Sequence, residues 1–150
     1  MRLTFSVQFG VPPTGLPARS TLRRWAVAAL DRDARVTLRF VGEREGRRLN
    51  QRFRGKDRAT NVLTFVYDAV VHEAPRDAPL AGDIVICVPV VRREAKAAGR
   101  SLRAHCAHLV VHGTLHLQGY DHQHDKSAAT MERRETLLLR RFRYRDPYGA

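Results

Sequence analysis

Cysteine is scarce in this 150-residue chain: Cys87 and Cys106 are the only two, each set in an apolar segment. Such a pair fits buried free thiols in a reducing cytoplasm better than the crosslinked framework of a small secreted domain. Long apolar runs are missing too, since no stretch reaches the 18 residues of a membrane-spanning helix. Met1 to Phe9 alternates like a strand and shows neither the apolar run nor the small-residue cleavage site of a secretory signal. Repeats, linkers and low-complexity tracts are also absent. One domain over residues 1–150 is therefore expected, long enough to bury a real core. Lysine is confined to Lys56, Lys96 and Lys126, and acidic residues number 15 against 27 basic ones.

What is present is arginine. The formal net charge is +12 and the isoelectric point about 11.1. A genome biased in composition writes arginine often, but that explains arginine over lysine better than it explains the excess of positive charge. The excess points to a polyanionic partner, nucleic acid first. With 43% hydrophobic and 28% charged residues, the chain reads as globular rather than disordered.

Periodicity supplies the elements. Residues 3–9 and 36–41 alternate as strands, and 61–67 and 83–88 are Val/Ile/Phe-rich enough for two more. Leu22, Trp25, Ala26, Ala29 and Leu30 share one helical face, with Ser20 or Thr21 as its expected cap. A basic helix is expected from Glu43 to Phe53, and a loop from His72 to Ala81. Pro89 can open a helix that Gly99 closes, and Ser101 can cap the next. A last helix over about 126–142 would bury Met131, Leu138 and Phe142. The pattern predicts an α+β fold: a small mixed sheet of about four strands packed with about five helices, the metal site lying between a histidine helix and the sheet.

Six of the seven histidines fall between positions 105 and 124. His112 and His116 stand one above the other at i,i+4, so their rings can aim at a common point. Three protein ligands and a water are a common catalytic zinc set. Gly119 can end the helix in the left-handed conformation and let the chain return with His122 as third ligand. His124 or Asp121 could take that place instead. His108 pairs with His112 equally well by spacing, but the turn lies at the other end of the helix, so His105 and His108 are expected to pack, line the site or meet solvent. Cys106 sits off the stripe. The plain alternative is a set of satisfied helix and loop histidines.

The spacing matches the H-x-x-x-H-x-x-G-x-x-H layout of metzincin proteases, with one departure: Gly113 stands where those enzymes carry the glutamate base. Proteolysis is thus short of its base, and Gly113 reads as a close-packing position. Asp121 could orient a ligand ring or hydrogen-bond the turn, Asp83 reads as a strand-end cap, and Tyr120 could stack a base or pack. Two basic concentrations could follow an RNA backbone or simply be solvated faces. The first is Arg44, Arg47, Arg48, Arg52, Arg54, Lys56 and Arg58. The second is Arg133, Arg134, Arg140, Arg141, Arg143 and Arg145.

His112 to His122 reads H-G-T-L-H-L-Q-G-Y-D-H and resembles the H-G-x-L-H-L-x-G-Y-D-H motif of the YbeY endoribonucleases, the bacterial rRNA maturation factors. Three further segments agree in order and spacing. Asn50 to Phe65, with R-G-K-D at 54–57 and T-N-V-L-T-F at 60–65, is similar to the family's arginine loop and following strand. Gly82-Asp83-Ile84 is similar to its G-D-I strand, and Asp146-Pro147-Tyr148 to its tail. Thr64 replaces the usual serine, and Val66-Tyr67 follows where a proline is usual. The resemblance, over roughly residues 45–148, implies a cytoplasmic hydrolase with one zinc per chain that cuts single-stranded RNA. It also implies rRNA and ribosomal particles as partners, the 3′ end of small-subunit rRNA included, with no membrane and no DNA. His112, His116 and His122 would hold the zinc, Arg54 would bind a phosphate through its planar fork, and Lys56 and Arg58 would make less specific backbone contacts. Two readings compete: a metalloprotease-like hydrolase, and a ribosome assembly factor whose metal is structural.

Overall fold

A computed structural model describes residues 2–67, 79–120, 125–145 and 147–148. Among them the chain runs β1 (Leu3–Phe9), α1 (Arg19–Ala29), β2 (Ala34–Val41), α2 (Glu43–Arg54), β3 (Val62–Val66), β4 (Leu80–Cys87), α3 (Val88–Ala97), α4 (Leu102–Leu117) and α5 (Asp125–Arg141). The sheet order is β1-β2-β4-β3. The first three of these strands are parallel, and β3 adds an antiparallel edge with Leu63 opposite Val85. This is the expected α+β class with a mixed sheet.

Side chains alternate across a strand, so the sheet feeds two apolar clusters. Val36, Leu38, Phe40, Ile84 and Ile86 join Trp25 and most of the buried face of α4 in the larger one. Val41, Leu63, Val85 and Cys87 point the other way, toward Leu49 of α2. Helix α4 runs through the middle of the larger cluster, touching α1, α3, α5, β3 and β4. That central position explains its composition. A helix packed on nearly every side is apolar nearly all round, and its histidines, with Arg103 and Thr114, are the exceptions.

Boundaries follow hydrogen bonding. β4 starts at Leu80 rather than 83, because β2 pairs with it from Ala34↔Leu80 onward. Asp83 therefore lies inside the strand, beside the Tyr67 hydroxyl, and does not cap its end. Helix α1 begins at Arg19, where the Ala18 carbonyl accepts from the Thr21 and Leu22 amides. Ser20 and Thr21 are already in its first turn, so neither caps it. Ser101 does cap α4, accepting from the Ala104 amide at 3.0 Å, and Pro89 lies in the first turn of α3. The expected loop at 72–81 falls mostly outside the described residues. Cys87 and Cys106 are buried free thiols; burial pushes the Cys106 thiol up to about 12.

Candidate active site

The site begins with the way α2 ends. Gly55 adopts φ +69°, the left-handed conformation that glycine takes without steric cost, and turns the chain off the helix. Asn50 is buried, and its amide donates to the Arg58 carbonyl at 2.8 Å. Asp57 pairs with Arg47 at 2.7 Å. These contacts hold the basic loop over the edge of the sheet. Arg54, Lys56 and Arg58 line a cleft of about 470 Å³ whose other walls are Asn61 to Thr64 and the rings of His112 and His116. A larger hollow, lined by Gln118, Tyr120 and Arg133, brings no such pairing of basic groups and imidazoles together among the described residues. Arg44, Arg47 and Arg48 face a separate shallow surface, and Arg134 is paired with Asp31 at 2.8 Å. Of the two basic concentrations, only Arg54, Lys56 and Arg58 of the first line the cleft.

The histidine stripe divides by partner. His105 binds Glu94 of α3 through Nε2 at 2.9 Å. His108 Nε2 lies 3.1 Å from Glu135 Oε2 on α5. His112 Nδ1 donates to Glu135 Oε1 at 2.6 Å, and His116 Nδ1 to the Tyr120 carbonyl at 3.1 Å. The ring centroids of His112 and His116 are 6.2 Å apart. A proton on Nδ1 puts the lone pair on Nε2, the tautomer a ligating imidazole needs. Gly119 has φ +97°, as the expected turn requires. His122, with its alternatives His124 and Asp121, lies outside the described residues, as does Asp146 of the tail. Tyr120 packs on the core and its hydroxyl reaches Asp31.

Glu135 is the residue that sequence reasoning missed. It is fully buried and receives His108, His112 and the Tyr148 hydroxyl. Burial pushes its carboxyl up, but the hydrogen bonds from His108 and His112 outweigh that and hold it down at about 2. His108 is shifted down, chiefly by burial, against the pull of Glu135. The available signal was positional: Glu135 lies four residues after Met131 and three before Leu138, a carboxylate on the apolar face of α5.

His108, His112 and Glu135 could together hold a metal ion, their donor atoms lying within 4.8 Å of one another. In the geometry present, the 2.6 Å between Glu135 and His112 is a hydrogen-bond length. Two ligands of one tetrahedral zinc stand roughly 3.3 Å apart, given bonds of about 2.0–2.1 Å. Gly113, the position of the metzincin base, faces Ile84: a Cβ there would lie 3.0 Å from Ile84 Cγ2. A side chain at 113 would therefore enter the core and not the cleft.

The chain is similar to known proteins over most of its length. The profile of the family Endoribonuclease YbeY matches residues 18–143. The chain is 52% identical over 143 residues to the endoribonuclease YbeY of Nitrosomonas eutropha, covering 95% of this chain and 96% of that one. It is 58% identical over 133 residues to the protein of that name from Aromatoleum aromaticum, covering 89% and 82%. The solution structure of TM1509 from Thermotoga maritima matches with a TM-score of 0.54 at 25% identity, covering 98% of this chain and 100% of that one.

Proposed function

The chain belongs to the endoribonuclease YbeY family, and from that premise we propose that it is a zinc-dependent endoribonuclease of single-stranded RNA. We place its work in the cytoplasm, on rRNA and ribosomal particles, including maturation of the small-subunit 3′ end and ribosome quality control. The whole chain acts as one domain in this reading. The observation that carries it is the cleft: arginine and lysine on one wall, and on the other two imidazoles whose Nδ1 atoms are both committed to acceptors.

That donor set fits zinc. His112 and His116 would hold it with His122, and the ion, when bound, supplies Lewis acidity and lowers the pKa of a coordinated water. The chain's own residues do the rest. Arg54 holds a phosphate next to the cut by two parallel N–H donors. Lys56 and Arg58 track the neighbouring backbone charge, and the Asn50 clasp keeps their loop in place.

The test is cleavage of a labelled single-stranded rRNA fragment by metal-quantified protein. His116→Ala should fold by circular dichroism, lose zinc and stop cutting. Arg54→Glu should keep its zinc and cut far more slowly. Full cutting by His116→Ala in metal-free buffer would sink the zinc mechanism, and equal cutting by Arg54→Glu would remove Arg54 from the site.

A further inference from the structure

We propose that Glu135 is the positioning residue of the metal site, fixing the His112 tautomer while itself held by His108 and by Tyr148 of the tail. The inference rests on the reading of His112 as a ligand. It differs from a site in which Glu135 coordinates the ion directly.

The hydrogen bonds have a direction. Glu135 Oε1 faces His112 Nδ1 at 2.6 Å, while Oε2 faces His108 Nε2 at 3.1 Å and the Tyr148 hydroxyl at 2.5 Å. Each of the two oxygens thus meets donors from a different side. His108 Nδ1 is buried with no hydrogen-bond partner among the described residues. A neutral ring protonated on Nε2 satisfies that arrangement, whereas a second ring proton would be stranded on Nδ1. His108 is thus a neutral donor that anchors the carboxylate, and the carboxylate anchors His112. Carboxylate–imidazole pairs of this kind set ring orientation and raise the basicity of the other ring nitrogen. The tail brings Tyr148 to the same oxygen, although its ring is half exposed at 47%. Tyr148 is in this way connected to the His112 ring through two hydrogen bonds.

Glutamine is the discriminating substitution. An amide has a single acceptor oxygen, and two donors compete for it on the His108/Tyr148 side. Its NH₂ then faces His112 Nδ1 as a donor. The His112 proton is driven to Nε2, the nitrogen that should bind metal.

The experiment uses the full chain with ¹⁵N-labelled histidine. Long-range ¹H–¹⁵N spectra of the metal-free protein at mildly alkaline pH report each ring's tautomer, and chelator competition reports zinc affinity. In wild type His112 should be protonated on Nδ1. In Glu135→Gln it should move to Nε2, and zinc affinity should fall roughly 10–100-fold. Tyr148→Phe removes one exposed donor, should fold normally, and should weaken zinc binding several-fold with the tautomer partly shifted; it keeps the test decisive if Glu135→Gln does not fold. His116→Ala is the control for the ligand reading: if it leaves zinc affinity intact, that reading fails first. If His116→Ala loses zinc while Glu135→Gln or Tyr148→Phe changes neither tautomer nor affinity, the positioning role is refuted. If His108→Ala costs as much zinc affinity as His116→Ala, Glu135 and His108 are ligands and the proposal is likewise overturned.

Discussion

Gly113→Ala tests how tightly the histidine helix is seated on the sheet. In an exposed helix interior this change would stabilise by about 1 kcal/mol, because alanine loses less backbone entropy than glycine. Here the new methyl would stand 3.0, 3.2 and 3.4 Å from Cγ2, Cδ1 and Cγ1 of Ile84. Ile84 is fully buried in β4. Three atoms of one β-branched side chain converge on the methyl, so no single rotation clears it. Overpacking of this kind costs about 1–3 kcal/mol, which leaves a net destabilisation of about 1 kcal/mol. The assay is a double-mutant cycle by urea denaturation of chelator-treated protein. Ile84→Ala alone should cost about 2–5 kcal/mol. In that background the obstruction is gone, and Gly113→Ala should now stabilise by about 1 kcal/mol, giving a coupling of about 2 kcal/mol. A gain of about 1 kcal/mol in both backgrounds would refute the close approach. The functional consequence runs through the neighbouring residue. Lifting α4 by a few tenths of an ångström moves His112 against Arg54 on α2. A displacement of 1 Å can cost about a hundredfold in rate, so cleavage should fall several-fold even where the fold survives.

Other perturbations separate the parts. Asn50→Ala should cost about 1 kcal/mol for the lost bond to the Arg58 carbonyl, and steady-state cleavage should show a raised KM with kcat nearly unchanged. Lys56→Ala should lower the salt dependence of RNA binding by about 0.7 in the log–log slope, as one phosphate contact is lost, with no change of metal content. The Glu45 carboxyl is held below its ordinary value by the hydrogen bonds from Arg39. A depressed acid stabilises fully above its ordinary pKa, near 4.5, and loses that contribution as pH falls through the lower folded value. Glu45→Gln should therefore flatten the acid limb of a thermal-melt profile below that pH and leave neutral behaviour little changed beyond the lost ion pair. Cys106, pushed up to about 12 by burial, should resist thiol reagents until the chain unfolds; labelling of native protein at neutral pH would contradict its buried placement.

Features that depend only on spacing along the chain were legible before folding. The i,i+4 pair His112/His116, the glycine that ends their helix, the Ser101 cap and the alternating strands are local facts, and they emerge as read. So does the cramped Gly113, because a glycine inside an apolar helix usually marks a close approach. Element ends were less legible: β4 begins three residues early because its partner β2 is there to bond it, and no local signal records a partner. Which charges meet is settled by packing, not by position along the chain. The arginines of 44–58 look equivalent along the sequence, yet Arg47 is spent on Asp57 while Arg54 faces the histidine rings. Glu135 shows the limit most clearly. On the sequence it is one acid in an arginine-rich helix, 23 residues from His112. Packing α5 against α4 removes it from water and gives it two donors, and Tyr148 of the tail adds a third. A buried carboxylate must find such partners, and the side chains that supply them are brought together by the fold, not by neighbourhood in the chain.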